Sequence, residues 1–100
     1  DPYQGFLGFE HIPESYSLYQ NYPNPFNPNT KIRFSIKTPG MVELIITDVN
    51  GREIERNSNF LNGGTYEKTW EAGYYPSGIY FYSLYVNSKK IDSKKMVLLK

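Results

Sequence analysis

Apolar and polar residues alternate through most of the chain. Ile32, Phe34 and Ile36 share one face of an extended segment, with Lys31, Arg33, Ser35 and Lys37 on the other. After Thr38-Pro39-Gly40, the residues Val42, Leu44 and Ile46 repeat the pattern, and Asn50-Gly51 predicts a type I′ hairpin at its end. Arg52 to Phe60 reads as a more polar returning strand, and Asn62-Gly63-Gly64 as a turn. Thr65 to Glu71 then carries Tyr66, Lys68 and Trp70 on one face. Tyr75-Pro76-Ser77-Gly78 turns the chain into Ile79 to Val86, where Tyr80, Tyr82, Leu84 and Val86 alternate without a charge, which predicts a central strand. Asn87 to Lys90 reads as a hairpin tip leading into a last strand, Ile91 to Lys100. About seven strands divided by turn signals predict an all-β antiparallel sandwich. Its expected core is Ile32, Phe34, Ile36, Val42, Leu44, Ile46, Tyr80, Tyr82 and Leu84.

Two segments break the alternation. Residues 1–15 carry two prolines and two glycines with no period of 2 or 3.6, and read as a linker or the tail of a preceding domain, leaving a domain over residues 16–100. Tyr3, Phe6, Phe9 and Ile12 make that stretch more apolar than a free linker, so part of it is expected to pack on a neighbour. Residues 22–29, YPNPFNPN, hold three prolines, each of which fixes its own φ and keeps the preceding residue out of the α region. A stiff, extended loop follows, with Asn24, Asn27 and Asn29 expected to bond neighbouring backbone groups and Phe26 to anchor it in the core.

Composition agrees with the pattern. One Ala, Ala72, stands against 34 Val, Ile, Tyr, Phe, Trp and Thr residues, the side chains that favour pleated sheets. Leu, Ile, Val and Phe total 25 of 100 residues, enough for one modest core. Eleven cations against ten anions give a net charge of +1, too little to favour nucleic acid as a partner. Lys89, Lys90, Lys94, Lys95 and Lys100 nevertheless crowd the last twelve residues. With no cysteine there are no disulfides or thiolate metal sites. The longest uncharged stretch, Ala72 to Ser88, is broken by Pro76 and Gly78 and is too short to span a bilayer as a helix. The chain opens on Asp1 without a leader, as an excerpt from a longer precursor would, with any export signal upstream.

No constellation points to catalysis, a cofactor or a metal. His11, the one histidine, lies in the irregular leader. Asp48, Glu53 and Glu55 lack the spacing of a calcium loop and read as solvated hairpin charges. Trp70, Tyr66, Tyr74 and Tyr75 would suit a sugar platform, but sandwich core and rim account for them better. The lysine cluster is open to two readings: a guard against edge-to-edge aggregation or a recognition element.

Five landmarks in order, LYQNYPNPFNP (18–28), VELIITDVNGREI (42–54), GGTYEKTW (63–70), YPSGIYFYSL (75–84) and KKMVLLK (94–100), resemble the immunoglobulin-like C-terminal sorting domain of the type IX (Por) secretion system, of type A. Within them the structural residues are Pro23, Asn24, Pro25, Phe26, Asn27, Gly51, Gly78 and Tyr80. Thr47 and Asn50 depart from the family pattern and make the hairpin tip more polar. The flagellar hook-cap tail domain shares some turn chemistry, but KKMVLLK favours sorting; a carbohydrate-binding or adhesive module is the other alternative. The resemblance implies a non-catalytic secretion signal, read by the outer-membrane translocon, cut by a sortase-like peptidase and joined to an upstream cargo destined for the medium or the cell surface. Recognition is expected at Lys94, Lys95, Met96, Val97, Leu98, Leu99 and Lys100, through an exposed strand edge and its charge cluster.

Overall fold

The computed structural model describes residues 4–6, as backbone, and 13–100. Eight strands form: β1 (Gln4–Phe6), β2 (Ser17–Leu18), β3 (Asn29–Ile36), β4 (Gly40–Thr47), β5 (Glu53–Leu61), β6 (Gly64–Glu71), β7 (Gly78–Val86) and β8 (Lys89–Leu98). They make two antiparallel sheets, β1-β6-β3-β2 and β5-β4-β7-β8. The core lies between the sheets. His11 and the apolar Tyr3, Phe9 and Ile12 lie outside the described residues.

Counted from β2, the seven main strands follow a sandwich order in which the first, second and fifth share one sheet and the third, fourth, sixth and seventh the other. Relative to constant-type immunoglobulin domains, the fourth strand has crossed to the other sheet. A tyrosine corner accompanies this order. Tyr80, near the start of β7, donates its hydroxyl to the Pro76 carbonyl at 2.6 Å and ties the β6–β7 connection to the strand it feeds.

All nine expected core residues are buried, Tyr80 at 5% exposure being the most accessible of them. Leu18, Phe26, Leu61, Tyr66, Trp70, Ala72, Val86, Met96 and Leu98 complete the cluster. β7 is central, between β4 and β8, as its uncharged sequence predicts. Leu44 is fully buried, so Leu44→Ala should cost about 2–5 kcal/mol in urea denaturation, because its volume is not refilled.

The turns depart from expectation. The β4–β5 hairpin forms, but Asn50 does not take the positive φ that a type I′ turn requires; only Gly51 does, at 79°. Asp48 decides this. Its Oδ1 accepts from the Asn50 and Arg52 amides at 2.9 and 3.0 Å, and the Gly51 amide donates to the Asp48 carbonyl at 3.0 Å. A three-residue loop with a left-handed glycine is the result. The primed two-residue turn sits instead at Asn87-Ser88, with φ of 50° and 67° and Val86 paired to Lys89. Asn87 fits there because its Oδ1 accepts from the Met41 amide at 2.9 Å, a contact that leaves no room for a Cβ at Gly40.

Candidate recognition site

β8 lies at the margin of its sheet and puts Met96 and Leu98 into the core, while Val97 and Leu99 alternate to the outside. Both faces of the terminal segment therefore carry apolar side chains, as the sequence predicts. The expected open edge is absent. Phe26, 2% exposed, sinks its ring to 5.8 Å from Trp70 and brings the proline loop against β8. There the Phe26 amide donates to the Val97 carbonyl and the Leu99 amide to the Phe26 carbonyl, both at 2.9 Å. The Val97 amide donates to Asn24 Oδ1 at 2.9 Å, and Gln20 Nε2 donates to the Lys95 carbonyl at 2.8 Å. The Lys95 carbonyl, both backbone groups of Val97 and the Leu99 amide, which a receptor strand would need, are already engaged, so strand addition along that stretch is closed.

The proline loop is ordered by a different set of bonds from those expected. Asn24 reaches a strand 73 residues away rather than its own neighbours. Local bracing comes from Asn21, which the sequence does not single out: buried at 3% exposure, it donates from Nδ2 to Thr30 Oγ1 at 2.9 Å and to the Pro23 carbonyl at 3.1 Å. Thr30 Oγ1 donates to the same carbonyl at 2.8 Å. The Tyr22-Pro23, Asn24-Pro25 and Asn27-Pro28 peptide bonds are cis.

Tyr82 links this network to the opposite sheet. Its Oη accepts from the Asn21 amide and donates to the Tyr19 carbonyl, each at 2.7 Å. Burial pushes its hydroxyl up to about 12, only partly offset by the Asn21 amide. Below pH 10, its ordinary value, both states hold the proton and the stabilisation is complete. Between there and about 12 the unfolded chain loses a proton that the folded chain keeps, so stability falls as pH rises. The expected extra loss is about 2 kcal/mol relative to Tyr82→Phe, read from denaturation curves at pH 8 and pH 11.5.

The cations separate into different environments. Lys94 Nζ lies 3.7 Å from Asp92 Oδ2 on its own strand. Lys100 Nζ donates to the Gly73 and Tyr75 carbonyls at 2.7 and 3.2 Å, and its amide donates to Ser77 Oγ at 2.9 Å, so it fastens the end of the chain to the β6–β7 connection. Lys89, Lys90 and Lys95 are exposed.

Other candidate chemistry resolves into structure. Asp48, held below the usual carboxylate range by the Arg52 amide above all, serves its turn. Glu53 is lowered by its bond to Arg56, which also pairs with Glu43. No group of three or more potential metal ligands occurs among the described residues. Tyr66 and Trp70 are buried, and the Trp70 ring packs against Tyr75 and Tyr80 at 5.6 and 5.5 Å, so these aromatics form core and rim rather than an open platform. Tyr74 alone of that set is wholly exposed. An open depression on the other sheet is lined by Tyr19, Tyr22, Lys31, Arg33 and Glu67, with its charges met across the groove at 3.8 Å for Lys31–Glu67 and 3.4 Å for Arg33–Glu67.

Comparison with known families supplies the deciding observation: residues 20–99, from the start of the loop support to the end of the clamped strand, match the family described as secretion system C-terminal sorting domain. The chain belongs to that family. The sorting domain is thus a type IX secretion signal, of a kind that directs export across the outer membrane, and the match covers both the proline loop and β8. No curated protein matches the chain. No helix of the sorting domain's described residues is long and apolar enough to cross a membrane.

Proposed function

We propose that residues 16–100 are a non-catalytic passenger signal, read at β8 by the outer-membrane translocon, then removed by a sortase-like peptidase as the upstream cargo is released or attached at the surface. The family match over residues 20–99 carries the reading. The geometry supports it: the domain is rigid where loop and strand lock together, and its cations gather along β8. A preformed, ordered epitope binds without a large ordering cost.

The test fuses residues 1–100 to a periplasmic reporter in a host with the type IX machinery, followed by surface labelling. Delivery of the reporter outside the outer membrane is expected. Retention in the periplasm of a folded fusion would overturn the reading. Replacing Lys94 and Lys95 with Ala should change stability by no more than about 0.5 kcal/mol, because both lie on the surface, yet lower delivery. Unchanged delivery would remove the lysines from recognition and leave them as edge guards.

A further inference from the structure

Sheets with one wet face ordinarily alternate apolar inward and polar outward. The outer face of β3 and β6 follows that rule, with Lys31, Arg33, Thr65 and Glu67 in the open. The outer face of β7 and β8 follows it at Ser83 and Ser93, whose hydroxyls bond at 3.0 Å, but not toward the end of β8. Flanking the buried Tyr80 lie Ile79 and Phe81, and beside the buried Met96 and Leu98 lie Val97 and Leu99. Register sets Ile79 opposite Val97 and Phe81 opposite Lys95, so these side chains are cross-strand neighbours in one patch. Ile79 and Leu99 are 40% and 55% exposed, and Phe81 and Val97 are half-buried. Nothing in the fold requires apolar residues there, since the core is already filled from the other face.

We infer that this outer face of β7 and β8, rather than the backbone edge of β8, is where the export machinery docks, through a protein surface of apolar side chains bordered by carboxylates. The inference rests on the sorting reading above and specifies the partner's chemistry. Three observations carry it. The edge from Lys95 to Leu99 is closed by Gln20 and the proline loop, so a reader of the terminal strand meets side chains and not free amides. Toward the end of that strand the outward side chains Val97 and Leu99 are apolar, as interface centres are, with Lys95 at their border. The rim is also lopsided: on the β5 side Glu43 and Glu53 are matched by Arg56, whereas on the β8 side Lys90 and Lys95, which the register sets opposite Tyr85 and Phe81 on this outer face, pair with no carboxylate among the described residues. Such a margin would steer and orient an acidic partner.

The experiment uses the same full-chain reporter fusion. One variant carries Val97→Thr with Leu99→Ser, which changes only outward side chains and keeps a β-branched residue in the strand. A second carries Lys95→Glu, and a control carries Lys31→Ala on the opposite sheet. With the intact fusion delivered, the first two should reduce delivery about tenfold or more at unchanged melting temperature, as loss of a central or complementary contact does, and the control should not. If the double variant melts lower, the Lys95→Glu arm decides alone. Equal delivery of the folded variants overturns the inference while leaving the sorting reading intact; an intact fusion that stays in the periplasm fails the sorting reading itself. A wild-type chain that sediments as a dimer, made monomeric by the double variant with delivery unchanged, would reassign the face to self-association and also overturn the inference.

Discussion

Phe26→Ala should lower the unfolding free energy by about 3–5 kcal/mol. In a domain of this size that corresponds to a melting temperature lower by at least about 12 °C. The ring is 2% exposed and packs against Trp70, which packs in turn on Tyr75 and Tyr80, so truncation opens a cavity where both sheets and the loop meet. A second effect follows from the backbone. The amide and carbonyl of the same residue bond Val97 and Leu99, and without its anchor the loop should lift from β8. Hydrogen exchange separates the two effects: the Leu99 amide should lose more protection than the Leu44 amide, which lies in the core sheet and reports global opening. A variant that melts like the wild type would show that the loop is not held by this ring.

Deleting residues 96–100 should abolish cooperative folding. Met96 and Leu98 are fully buried, and their loss leaves Tyr80 and Gly78 of β7 without strand partners and the proline loop without its docking site. Two buried large side chains together are worth about 4–10 kcal/mol, against a typical total stability of about 5–15 kcal/mol. The expected observation is loss of the sigmoidal urea transition together with near-ultraviolet dichroism. A retained sharp transition would mean that the rest of the sandwich is self-sufficient. The same arithmetic bears on function: a deletion that stops export removes the fold along with the signal, so only outward substitutions such as those at Lys95, Val97 and Leu99 can report recognition.

The alternation of Ile32, Phe34 and Ile36, of Val42, Leu44 and Ile46, and of Tyr80, Tyr82 and Leu84 already states the strands, their inward faces and the sandwich, because successive side chains of an extended chain point to opposite sides whatever surrounds them. Phe26 was legible as an anchor for a similar reason, being the one large side chain without a polar group among the rigid loop residues. Even the misread turn left a local trace: Asp48, two residues before Asn50, is the carboxylate that captures the turn amides and selects the longer loop. Tertiary structure alone decided the state of the terminal strand. Its edge is closed by groups 73 and 75 residues distant in sequence, Asn24 and Gln20, and no local pattern in either segment encodes that meeting. Nor does the sequence distinguish Lys100, fastened to two carbonyls, from Lys95, open to solvent, since both are lysines beside apolar residues. Side-chain alternation is a property of the chain itself, whereas the covering of an edge and the partner of a charge depend on which distant segments the packed core brings together.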